Sequence, residues 1–125
     1  MTLLYIKKYT RAYIKASPDW LFIFGDNLER TGLGGQAGEA RGMSNAIGIA
    51  TKRSPHMGEA AFFTDADYAG WFTAEKPTLN MLMRASQDGR TIIWPLDGIG
   101  TGLARLEQRA PAIWNDIEQF RLAIE

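Results

Sequence analysis

The chain contains no cysteine, which rules out a disulfide framework, a Cys-ligated zinc and a thiolate nucleophile. This is compatible with a reducing cytosol, and a cytoplasmic location is expected. His56 is the single histidine, so a metal-water hydrolase needing several imidazoles is not expected, nor any metal or cofactor. The formal net charge is zero, which gives no bulk attraction to nucleic acid or to an anionic membrane. The stretch from Met1 to Ile14 carries Lys7, Lys8 and Arg11 but no long apolar run, so neither a signal peptide nor a membrane span is expected. No linker, repeat or low-complexity tract divides the sequence.

What is present is material for a core. Hydrophobic residues make up 46% of 125 residues, which suits a single folded domain. Leu3 to Ile6 reads as a strand, and Ala12 to Lys15 as a second short one, before a turn at Ser17-Pro18-Asp19. Trp20 to Gly25 is a continuous apolar run ending in glycine, as a strand buried on both faces reads. Asn45 to Thr51 and Thr91 to Leu96 read the same way. Gly35 to Arg41 suits a short helix, and Asp65 to Ala85 one or two helices interrupted near Gly70 and Pro77. Leu106, Ala110, Ile113, Ile117, Phe120 and Ile124 form one apolar stripe on a final helix from 106 to 124. Strands alternating with helices predict a three-layer α/β/α domain over residues 1–125, with a mostly parallel sheet. Ligands in such folds sit beyond the carboxyl ends of the strands.

Two glycine-rich loops leave those ends. In the first, Gly32, Gly34, Gly35 and Gly38 fall within seven positions, ahead of a helix. Glycine amides followed by a helix start suit a phosphate or sugar, and a plain flexible turn is the alternative. Gly32, Gly34 and Ala37 match G-x-G-x-x-A, yet Asp26 to Thr31 separate them from the strand and no acidic residue follows about twenty positions on, so a Rossmann site is not indicated. Asp26 and Asn27, at the strand exit, would bond a base or ribose, or else form an Asx-turn or cap. In the second loop, Gly98, Gly100, Thr101, Gly102 and Leu103 follow the last strand, with backbone free to wrap a phosphate and the Thr101 hydroxyl as a further donor. Together the loops suggest two halves of one cleft around a diphosphate. Lys52 would pair with a phosphate or act as an activated amine, if it is more than a solvated strand-end lysine. Trp71 and Trp94 suit packing, and Phe62, Phe63 or Tyr68 would stack on a base unless they are core.

These motifs together resemble a macrodomain, the ADP-ribose-binding α/β/α module. Asn27 to Gly38 resembles its first ligand loop, and Ile92 to Leu106 (IIWPLDGIGTGLARL) its strand, proline and G-x-G diphosphate loop. Within that superfamily the chain looks closest to the terminal ADP-ribose glycohydrolase branch and to small phage and bacterial macro-like proteins. Thr51-Lys52 stands where the branch has Thr-Lys, whose lysine attacks the distal ribose. The resemblance implies binding of ADP-ribose, or of a protein or nucleic acid carrying it, with Lys52-dependent hydrolysis as an alternative. A phage or host-interaction protein sequestering a nucleotide signal, or a structural module with an empty cleft, are alternatives of other classes. The chain departs from the branch at Ala104, where an Asp resolves the lysine adduct.

Overall fold

A computed structural model describes residues 2–125. Its sheet has four strands: β1 (Thr2–Ile6), β2 (Leu21–Asn27), β3 (Ala46–Lys52) and β4 (Thr91–Pro95). They run in the order β1-β4-β2-β3, and every pairing is parallel. Helices α1 (Arg11–Ala16) and α2 (Gly35–Ala40) cover one face. Helices α3 (Tyr68–Gln87), α4 (Leu106–Arg109) and α5 (Pro111–Ile124) cover the other. The expected three-layer α/β/α architecture is therefore the observed one.

Side-chain alternation along β2 builds both layers. Leu21 and Ile23 join the core under α3 and α5, while Phe22 and Phe24 join the smaller core under α1 and α2. On α3, Trp71, Glu75, Leu79, Leu82 and Ser86 are buried at three- and four-residue spacing. No helix among the described residues is long and apolar enough to cross a membrane.

Three local readings change. Ala12 to Lys15 belongs to helix α1, because Thr10 caps it by accepting a hydrogen bond from the Tyr13 amide (3.1 Å). Pro77 lies inside α3 without breaking it, and its ring is on the exposed face. The final helix is divided, because Pro111 drives Ala110 out of helical geometry (φ −144°, ψ 68°). The apolar stripe survives that break: Leu106, Ala110, Ile113, Ile117 and Ile124 are all buried.

The outer edge of β3 is sealed by side chains. Glu75 Oε1 accepts from the Ala50 amide (2.6 Å), Trp71 Nε1 donates to the Ala50 carbonyl (2.8 Å), and Arg30 donates to the Gly48 carbonyl (3.3 Å). An open edge would offer those groups to another chain. Arg30 also forms a two-pronged pair with Glu75, both bonds 2.7 Å. The Glu75 side chain is fully buried while that of Arg30 is 38% exposed. In Glu75→Leu, Arg30 would rehydrate, so the main loss comes from the orphaned Ala50 amide, about 1–3 kcal/mol. Glu75→Gln keeps an acceptor there and should lose less. Urea unfolding of both variants measures the difference.

Candidate functional site

The strand order places a topological switch point at the carboxyl end of the sheet. From β2 the chain moves outward to β3 through α2, then returns across β2 through α3 to reach β4. Between β2 and β4 the order reverses, which is where open α/β sheets take ligands. The β2–β4 ladder there is short. It pairs only Leu21 with Ile92 and Phe22 with Ile93, then stops. Beyond it the second glycine loop takes over. A Cβ built on Gly25 of β2 would lie 4.0 Å from the Gly100 amide nitrogen.

The first loop, residues 28–34, is held by charge. Asp26 is buried and accepts from its neighbour's amide, Asn27 N (2.8 Å), and from both terminal nitrogens of Arg41 (2.6 and 3.2 Å). Arg41 also donates to the Gly32 and Thr31 carbonyls (2.8 and 3.0 Å). Asp26 thus braces the loop and does not present its oxygens to the crevice. Gly32 (φ +93°), Gly35 (φ +56°) and Arg30 (φ +56°) are all left-handed, a conformation costly for the arginine. Gly34 and Gly35 have open space where a Cβ would be, whereas Gly38 closes against the Leu33 carbonyl. Helix α2 is only six residues long, so the loop's own amides, more than a helix dipole, would meet an anion.

Asn27 and Lys52 are brought together. A bulge skips Thr51 in the β2–β3 ladder, so that Asp26 pairs with Ala50 but Asn27 with Lys52. Thr51 turns inward and its hydroxyl donates to the Asp26 carbonyl (3.1 Å). Asn27 Nδ2 donates to the Thr31 carbonyl (2.8 Å), while its Oδ1 is buried with no partner. Lys52 Nζ donates to the His56 carbonyl (2.7 Å) and lies 4.7 Å from the centre of the Phe62 ring. Partial burial pushes the lysine below its ordinary range.

The second loop differs from the sequence expectation in detail. Gly98 (φ +93°) and Gly100 (φ +79°) are left-handed, and Gly102 is not. The Thr101 hydroxyl donates to the Asp97 carbonyl (2.7 Å), so it shapes the loop and is not a spare donor. Leu103 points into solvent, and Ala104 is buried. Phe62 and Phe63 are core, with Arg109 3.9 Å above the Phe62 ring; neither is free to stack on a base. Tyr68 instead stacks on Phe72 (ring planes 14° apart). Trp71 and Trp94 are core, as their apolar settings suggested.

Beside the second loop lies a cavity of about 430 Å³, walled by Tyr5, Trp94, Gly98, Thr101, Trp114 and Arg121. Trp94 Nε1 is buried without an acceptor. Arg121 is fixed by Glu118 (3.1 Å) and Glu125 (2.9 Å), and donates to the Tyr5 hydroxyl (2.7 Å). Burial raises the Tyr5 hydroxyl above the ordinary tyrosine range. Nothing in the sequence marks this cavity, since Tyr5 and Arg121 are 116 positions apart. Arg30, Arg41 and Glu75 are likewise invisible as loop anchors before the fold brings them together.

The two conformational classes of glycine should separate on substitution. A Cβ on Gly100 would meet Leu106 side-chain atoms at 2.8 Å, besides occupying positive φ. Gly100→Ala should therefore cost at least about 2 kcal/mol, combining left-handed strain with overlap. A Cβ on Gly102 meets nothing within 4 Å, so Gly102→Ala should stay within about 0.5 kcal/mol of wild type. Urea unfolding decides; equal losses would mean that the loop is not shaped by Gly100.

No curated protein matches the chain, and no solved structure does. One family model matches residues 4–120, nearly the whole chain, and its description is a family of unknown function. By that match the protein with this loop-flanked crevice is a member of the DUF7831 family.

Proposed function

We propose that the crevice binds ADP-ribose, or a target carrying it, and that the domain is macro-like. One observation carries this: where the β2–β4 ladder stops, two loops with left-handed glycines flank the opening. Loop amides at Gly100 and Gly102 would receive the diphosphate, while Gly98, whose own amide donates to the Pro95 carbonyl (2.9 Å), would shape the loop around it. The Gly32, Gly34 and Gly35 segment would enclose the distal ribose. The unpartnered Asn27 Oδ1 supports a hydroxyl donor there, since a buried acceptor left alone costs about 1–3 kcal/mol. The cavity beside the second loop would take the base, with Trp114 as a wall. Asp26 contributes by bracing the first loop and not by contact.

A thermal-shift panel of ADP-ribose, NAD, ADP and AMP tests the proposal. ADP-ribose should bind at least tenfold tighter than AMP, about 1.4 kcal/mol, because only it spans both loops. Gly102→Val should abolish that binding and keep the fold, since the glycine faces open space. Unchanged affinity in the folded variant would remove the second loop from the site. Absence of any shift would leave a module with an empty cleft.

Hydrolysis at the same site is the second reading, and Lys52 carries it. The partly desolvated amine stands beside Asn27, in the place of the glycohydrolase branch's nucleophile. Ala104 supplies no acid to resolve an adduct, and general acid–base groups typically contribute about 10²–10⁴-fold. Slow or absent release of ADP-ribose from modified protein is therefore expected, with Lys52→Ala weakening binding modestly. Fast turnover abolished by Lys52→Ala would establish the enzyme instead.

A further inference from the structure

The two edges of the sheet are not alike. Side chains cap the outer main chain of β3 at Gly48 and Ala50. Strand β1 forms the opposite edge and pairs only with β4. The Ile6 carbonyl accepts from the Leu96 amide (3.0 Å), so Ile6 and, by strand alternation, Leu4 turn their main chain toward β4. Leu3 and Tyr5 then turn their amides and carbonyls outward. Among the described residues no side chain and no further backbone group bonds them; Tyr5 is engaged through its hydroxyl alone. The strand is apolar, TLLYI, and Leu4 is 40% exposed. An open edge of this kind is a template for another strand.

Self-complementarity selects a second copy of the chain as that strand. A two-fold axis through Leu4 sets Thr2 opposite Ile6, Leu3 opposite Tyr5, and Leu4 opposite itself. Every residue of β1 then has a partner, and no charged side chain enters the ladder. On each side of the axis the outward-turned Leu3 and Tyr5 exchange both backbone bonds. Leu4 takes the non-hydrogen-bonded position, where Cα atoms stand about 4.5 Å apart and side chains are closest. Charge favours this antiparallel arrangement. Lys7 and Lys8 follow β1, are exposed, and have no ion pair among the described residues. At the other end of the strand Thr2 pairs with Thr91, and the turns before β4 and β2 carry exposed Asp88 and Asp19, also without ion pairs among those residues. Arg90, two positions after Asp88, donates to the Asp19 carbonyl (3.2 Å). Antiparallel pairing brings the lysines of each copy toward those acids of the other. Parallel pairing would set Lys7 and Lys8 beside their own copies, like charge against like.

The geometry points to a homodimer in which β1 pairs antiparallel with β1 of a second copy, joining two four-stranded sheets into one. This goes beyond the nucleotide function and does not depend on it, since the carboxyl ends of the two sheets would lie at opposite ends of the joined one. Analytical ultracentrifugation at micromolar concentration should give the wild type the mass of a dimer. Leu4→Lys and Leu4→Glu each place like charges together on the axis. Each variant alone should sediment as a monomer with an unchanged circular dichroism spectrum. Mixed in equal amounts they should pair again, because lysine meets glutamate only where position 4 faces its own copy. The chain has no cysteine, so Leu4→Cys introduces a single thiol, and mild oxidation should cross-link it to a dimer. That measurement reads the register even where a charged variant does not fold. Any one of four results would overturn the inference: a monomeric wild type, a dimer that survives both charges, folded charged variants that stay apart when mixed, or Leu4→Cys that does not cross-link.

Discussion

Two buried carboxylates govern the carboxyl end of this sheet. Asp26 and Glu75 have almost no exposed side-chain surface, and a buried charge is tolerable only when paired and hydrogen-bonded. Of their partners, Arg30 lies in the first glycine loop, and Arg41 follows α2 and reaches back to the loop's Gly32 and Thr31 carbonyls. Releasing that loop would strand both carboxylates at once. The same bonds hold Arg30 in its left-handed conformation and close the outer edge of β3. One network therefore sets loop shape, edge protection and the attachment of α3.

The second loop is secured by other means. Its left-handed glycines fold it against Gly25 and Leu106, and the Thr101 hydroxyl closes it on the Asp97 carbonyl. Each loop contains one left-handed arginine, yet Arg30 is ion-paired and Arg105 has no ion pair among the described residues. No hydrogen bond joins one loop to the other among those residues. One loop is thus braced by ion pairs and the other by backbone hydrogen bonds, among them Gly98 to the Pro95 carbonyl and Leu106 to the Gly100 carbonyl (both 2.9 Å).

The sequence carries the strands and the loops because burial and glycine leave local marks. Apolar runs at Trp20–Gly25, Asn45–Thr51 and Thr91–Leu96 fall on β2, β3 and β4 within a residue or two of their bounds. Helix α1 is misread as a strand because Tyr13 and Ile14 favour β structure, whereas its stability comes from the Thr10 cap and the burial of Ile14. Pro77 and Pro111 look alike in sequence. Only position separates them: Pro77 lies on the solvent face of a long helix, and Pro111 opens a new one. Within the site, the strand-end residues Asn27 and Lys52 are legible from their place after apolar runs. Their pairing depends on the bulge at Thr51, and the arginine braces and the cavity depend on contacts across long sequence separations. A local pattern encodes none of these.

The setting of Lys52 bears on what its amine is built to do. Partial burial lowers its proton affinity, which would help a nucleophile. The His56 carbonyl and the face of Phe62 act the other way, because both interact with the charged ammonium. To attack a ribose carbon the amine would have to lose its proton and leave both partners. Nothing recorded around it supplies a carboxylate to take that proton: its contacts are a carbonyl, a thioether and an aromatic ring. A cation so placed would be held charged by these two partners. These contacts therefore oppose the use of Lys52 as a nucleophile, and they do so independently of the alanine at position 104.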